Sequence, residues 1–135
     1  MDDLVQWLRA QLNAEADEAQ LNADAFGAVW TSDDEMESVS SDTGADVVSE
    51  PYAPRSFIAT HDPARVLREV DAKRRMIGEV LKYEAKIDGE WGCCHEVDEI
   101  AAGECPEIQP QDVTALRLLA AVYADRLGYQ EAWRP

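Results

Sequence analysis

His61-Asp62-Pro63-Ala64-Arg65-Val66-Leu67-Arg68-Glu69-Val70-Asp71-Ala72-Lys73-Arg74-Arg75-Met76-Ile77-Gly78-Glu79-Val80-Leu81 is the stretch from which the fold is read. It opens on a helix start. Asp62 can accept from the exposed amides of a first turn, and Pro63 suits the first helical position, where a missing N–H costs nothing. Val66, Val70, Ile77, Val80 and Leu81 then recur at the helical period, while Arg68, Lys73, Arg74, Arg75 and Lys82 crowd the other faces. The pattern predicts a long helix over residues 62–89, with Gly89 as its stop. Gly78 weakens it by about 1 kcal/mol relative to Ala.

A single apolar stripe must be covered, and two others are available. Leu4, Leu8 and Leu12 fall four apart with Val5 and Trp7 beside them, predicting a first helix over residues 1–27. Asp2 or Asp3 serves as its cap and Phe26-Gly27 as its stop. A last helix is expected over residues 111–128, with Val113, Leu116, Leu119, Ala120 and Tyr123 inward and Gly128 as its end. Leu8, Leu12, Val70, Ile77, Leu116, Leu119 and Tyr123 are the expected core, because mutual packing is the way to cover three stripes in a chain this short. Tyr129 and Trp133 in the tail, residues 129–135, are expected to fold back, since exposed aromatics are costly.

The connections have a different composition. Over residues 28–55, Val29-Trp30-Thr31 and Val47-Val48 read as short strands, Glu35-Met36-Glu37-Ser38-Val39-Ser40 alternates polar and apolar, and Ser41-Asp42-Thr43-Gly44 supplies turn chemistry. A small antiparallel hairpin is expected, with an acidic loop as the competing reading. Ser56-Phe57-Ile58-Ala59-Thr60 reads as a short buried turn or helix. Residues 90–110 form an irregular Cys/His loop, with a helical turn around Val97, Ile100 and Ala101 that Gly103 ends. The expected class is therefore α+β, mainly α: three principal helices in one small domain over residues 1–135, a hairpin between the first and second, and the Cys/His loop between the second and third.

The 135 residues include 28 Asp and Glu against 12 Lys and Arg, a formal charge of −16. The charge is uneven: −12 over residues 1–50, +2 over residues 51–89 and −6 over residues 90–135. Such a field repels phosphates, so direct nucleic-acid binding is not expected; a protein partner with a basic surface is. Lys73-Arg74-Arg75 is assigned to internal pairing with the acidic first helix or with Asp71 and Glu79. No stretch approaches the roughly 20 apolar residues of a membrane span, and Met1-Asp2-Asp3 lacks the basic start of an export signal. No membrane partner is expected, and the location is expected to be cytoplasmic.

Met1-Asp2-Asp3-Leu4-Val5 with Trp7-Leu8, the block from His61 to Arg75, Leu116-Arg117-Leu118-Leu119-Ala120, Tyr123-Ala124-Asp125 and Trp133-Arg134-Pro135 resemble the domain of unknown function 6221 family, small acidic proteins of actinobacteria and their phages. The resemblance touches both ends and the middle of the chain and implies no known activity. Where the family pattern tends to read Tyr-Ala-Asp-His-Pro, this chain has Arg126 and Leu127, and the Pro-Gly-Pro often seen before the hairpin tryptophan is absent ahead of Trp30.

Metal chemistry is offered by Cys93-Cys94-His95, followed by Cys105-Pro106 ten positions after His95. Zinc favours thiolate and imidazole in a tetrahedron, and a cytosolic chain keeps its thiols reduced. Cys93, Cys94, His95 and Cys105 form the four-ligand candidate for a structural zinc; a three-ligand version draws on His61 or Glu99. Three small residues packed at a buried turn is the competing reading. A catalytic Cys94 with His95 as base is disfavoured, because adjacent residues rarely present both groups to one substrate atom. No glycine-rich phosphate loop or His-Glu-x-x-His is present. The expectation is thus a non-enzymatic protein-binding module. A nucleic-acid mimic directed at a DNA-binding protein is the alternative, and a cysteine-dependent enzyme a minor one.

Overall fold

The computed structural model describes residues 3–84, 86–87, 90–91, 93 and 95–135. The expected class holds. Among the described residues five helices dominate: α1 (Asp3–Phe26), α2 (Arg55–Thr60), α3 (Pro63–Glu84), α4 (Val97–Ala101) and α5 (Thr114–Ala121). Between α1 and α2 lies a three-stranded antiparallel sheet of β1 (Trp30–Asp33), β2 (Ser38–Ser41) and β3 (Asp46–Val48). A two-stranded ribbon, β4 (Lys86–Ile87) and β5 (Glu90–Trp91), follows α3. Contacts group the chain into two compact units, Met1–Leu12 with Lys73–Pro135, and Asn13–Ala72. Each draws on both long helices.

Within Asn13–Ala72, α1 ends where Gly27 takes a φ of +100° and donates its amide to the Ala23 carbonyl at 2.8 Å. A Cβ at Gly27 would stand 2.6 Å from the Asp42 carboxylate and 2.9 Å from the Ser41 side chain, so backbone conformation and space both require glycine. The chain then enters a sheet rather than a lone hairpin: β2 pairs with β1 from Trp30↔Ser41 to Asp33↔Ser38, and with β3 on its other side. The expected strand at Val47-Val48 becomes β3, which makes the alternating middle segment the central strand. Val39 on β2 is fully buried. The α2 helix packs on β1 and β2 but has no buried residue, which corrects the expected buried turn. Six residues present one narrow face to the sheet; Ile58 and Ala59 are half-buried there, whereas Phe57 is exposed and stacks on His61 at 4.2 Å.

Asp62 performs the expected capping and more. Its Oδ1 accepts from the Arg65 amide at 2.8 Å and its Oδ2 from the Trp30 amide at 3.1 Å, so one buried carboxylate joins the start of α3 to the start of β1. The Ala64 amide, donating to the Ala28 carbonyl at 3.0 Å, reinforces the junction.

In the unit formed by Met1–Leu12 and Lys73–Pro135, Leu8, Leu12, Ile77, Leu116, Leu119 and Tyr123 are all buried as expected; Val70, in the other unit, is buried too. Both later helices are shorter than the sequence suggests. The α3 helix ends at Glu84, because the chain turns into β4 and pairs Lys86 with Trp91 and Ile87 with Glu90. The expected stop, Gly89, lies outside the described residues. In the C-terminal segment, an extended Val113 separates a 3-10 turn at Pro110–Asp112 from α5. After Ala121, bonds of the i to i+3 kind replace the α-helical ladder, as in Tyr123 to Ala120 and Arg126 to Tyr123. The tail folds back as expected: Trp133 is buried, with its ring 5.3 Å from that of Trp7.

Asp62→Ala should leave the half-buried Trp30 amide unpaired and α3 uncapped, costing about 2 kcal/mol. Asp62→Asn, which keeps one acceptor oxygen, should fall between wild type and Ala in urea unfolding. An unchanged midpoint for Asp62→Ala would refute the two-bond role.

Candidate metal centre

The Cys/His loop lies between β5 and α5. Its helical turn forms where expected: Glu96 caps α4, the Glu99 carboxylate accepts from the Glu96 amide at 2.6 Å, and the helix ends before Gly103. This short capped helix separates two sulfur-bearing turns. In the first, the His95 amide donates to the Cys93 sulfur at 3.4 Å. In the second, Gln109 Nε2 donates to the Cys105 carbonyl at 2.6 Å. The first turn thus offers a backbone donor to the Cys93 sulfur.

The turns meet. Cys93 Sγ lies 3.0 Å from Cys105 Sγ and 3.2 Å from His95 Nδ1, and one donor atom from each of the three residues lies within 4.8 Å of the others. Both cysteines are buried and His95 is half-buried. Cys93, His95 and Cys105, three of the four candidate ligands, are therefore brought together. Cys94 lies outside the described residues. His61, the alternative ligand, is outside this group; its Nδ1 bonds the Phe57 carbonyl at 2.8 Å. Glu99 is likewise outside it, held in the α4 cap.

The hydrogen bond with Cys93 holds the Cys105 thiol below its ordinary value; the Glu107 and Ile108 amides act in the same direction, and burial opposes them. Two sulfurs and an imidazole nitrogen are three of the four donors that a tetrahedral zinc site takes. Two neutral thiols and an imidazole at this separation also form a stable hydrogen-bonded cluster, because each S–H finds an acceptor.

Sequence reasoning missed the second feature of this unit, an aromatic cluster centred on Trp7. Its ring lies 6.4 Å from Tyr123, 5.8 Å from Tyr129 and 5.3 Å from Trp133, and its Nε1 donates to the Leu127 carbonyl at 3.0 Å. A Cβ at Gly128 would stand 2.9 Å from that Nε1. Lys73, from the basic run, donates to Tyr123 Oη at 2.9 Å and lies 5.2 Å from the ring centre. Arg117 donates to the Trp133 and Arg134 carbonyls, tying α5 to the tail.

These features define a small, acidic, mainly helical protein with a buried Cys/His donor group. The chain belongs to DUF6221, a family of unknown function whose match spans residues 1–135, the whole chain. No curated protein and no solved structure matches it. Among the described residues, no helix is long and apolar enough to cross a membrane.

Thiolate absorbance of the reduced, metal-free protein should show one thiol titrating below the free-cysteine range, and Cys93→Ala should move it back up. A thiol whose folded pKa is depressed contributes stability that is complete above its unfolded pKa and is lost as pH falls through the folded one. Titration of every thiol at the free-cysteine value would contradict the assignment.

Proposed function

We propose that the protein is a non-enzymatic cytoplasmic binding module in which structural zinc fastens the loop between α3 and α5, and an acidic surface meets a protein partner with a basic face. The observation that carries the reading is the convergence of Cys93, His95 and Cys105 from two turns separated by α4. In the proposal Cys94 supplies the fourth ligand. Bound zinc would close the loop between the two turns, so its binding energy would add to folding. Burial of the sulfurs supports a structural use over a substrate-processing one: Cys105 is fully buried and Cys93 is 8% exposed.

The acidic half of the proposal rests on residues 13–72, which hold 14 Asp and Glu against three Arg, a charge of −11. Asp33, Asp34, Glu35 and Glu37, at and beside the turn between β1 and β2, are all exposed. One observation favours the mimic reading as a second possibility: many of these carboxylates sit on ordered helix and sheet, which a phosphate-like array requires. DNA competing with the protein for its partner would support the mimic; absence of competition would leave the simple binding module.

Protein purified without chelator should carry about one zinc per chain. A strong chelator, or Cys105→Ser, should lower the melting midpoint. Zinc at well under about a tenth of an equivalent would sink the metal reading. Reversing Asp33, Asp34, Glu35 and Glu37 to Lys should weaken partner capture from a lysate, and added salt should mimic the effect. Capture unchanged by both would reduce the charge to solubility.

A further inference from the structure

We propose that Cys93 and Cys105 are a peroxide-oxidised dithiol, and that closing their disulfide expels the metal from the Cys/His cluster. The metal-release step rests on the zinc reading above; the disulfide step does not. The two sulfurs are 3.0 Å apart, on turns 12 positions apart in sequence with α4 between them. Thiolates held by one tetrahedral zinc through bonds of about 2.3 Å stand roughly 3.7 Å apart. A disulfide needs about 2.05 Å. The observed separation lies between these two lengths, so small opposite movements of the same turns lead to either state. The two states exclude each other, because a sulfur committed to a disulfide has lost the anionic charge with which it binds zinc.

The burial pattern orders the steps. Cys93 is 8% exposed and Cys105 is fully buried, so a small hydroperoxide reaches Cys93 first. The Cys93 sulfur attacks one peroxide oxygen; the O–O bond breaks, and the departing oxygen takes up the thiol proton and leaves as water or an alcohol. Cys93 is now a sulfenic acid, with sulfur oxidised by two electrons and the peroxide reduced by two. Cys105 Sγ, already adjacent, attacks the Cys93 sulfur and expels hydroxide, which leaves as water with the Cys105 proton. With zinc present, the thiolates give up the ion, and two solvent protons complete the same two molecules of product. A reduced cellular thiol pool reverses the disulfide by exchange.

The test uses the full chain, reduced, in metal-free and zinc-loaded forms, treated with stoichiometric hydrogen peroxide, alkylated and mapped by mass. Oxidation should remove two of the three alkylatable thiols and yield a Cys93–Cys105 cross-link. Cys94→Ser should form the same cross-link. Cys105→Ser should stop at a Cys93 sulfenic acid that dimedone traps. The zinc-loaded form should release one zinc per disulfide to a chromogenic chelator. A cross-link through Cys94, or three thiols surviving peroxide that oxidises an equal amount of free cysteine, would overturn the inference. Cross-linking in protein that binds no zinc would remove the zinc reading and the release step while keeping the dithiol. Zinc bound and unaffected by peroxide, with both thiols intact, would do the reverse.

Discussion

Trp7 and the C-terminal segment form the interaction on which the unit built from both chain ends depends. The indole nitrogen reaches the Leu127 carbonyl across 120 residues of sequence, and three aromatic rings from Tyr123, Tyr129 and Trp133 surround the ring. Each aromatic pair contributes about 0.5 to 1.5 kcal/mol beyond its buried area. The entropy of closing so long a loop grows only logarithmically with its length, so a few such contacts go far toward offsetting it. In the same unit Leu4, Leu8, Ile77, Leu81 and Leu116 are all buried. Gly128 is the matching constraint on the other side: its φ of +88° and its approach to the indole leave no place for a Cβ.

Asn13–Ala72 solves a different problem, since it folds despite a charge of −11. Its carboxylates are mostly exposed, where solvent screens their repulsion. Asp62 is the buried exception, and it is matched by two backbone amides. Two further joints are made from neutral groups: Trp30 Nε1 donates to the Gly27 carbonyl at 2.8 Å, and Thr43 Oγ1 to the Phe26 carbonyl at 3.1 Å. The large charge is thus carried by the surface and not by the framework.

The parts legible in the sequence are those encoded by near neighbours. Asp62-Pro63 marks the start of α3 because capping is a local reaction of one side chain with the next turn. Val97, Ile100 and Gly103 announce α4 for the same reason, and residue type alone nominates Cys93, His95 and Cys105. The ends of α3 and α5 were less legible. Asp88-Gly89 has the composition favoured between tightly paired strands, but attributing Gly89 to a helix stop hid β4 and β5. Val113 adopts an extended conformation that periodicity does not reveal, and Trp7 looks like any residue beside an apolar stripe until its distant partners are known. Ser56-Phe57-Ile58-Ala59-Thr60 reads as a short buried turn or helix, yet α2 is too short to bury Phe57.

The discontinuity of one unit also has a temporal consequence. Asn13–Ala72 is a single stretch and can assemble once its own residues have emerged, whereas Trp7 is made before it and Trp133 well after it. At about 5 to 20 residues per second, roughly 3 to 12 s separate the synthesis of Ala72 from that of Trp133. Throughout that interval the apolar stripe of Leu4, Leu8 and Leu12 has no final cover. Nascent chains therefore pass through a stage in which the acidic half is complete and the other half waits, and the high negative charge of the finished half keeps neighbouring chains apart until the tail arrives.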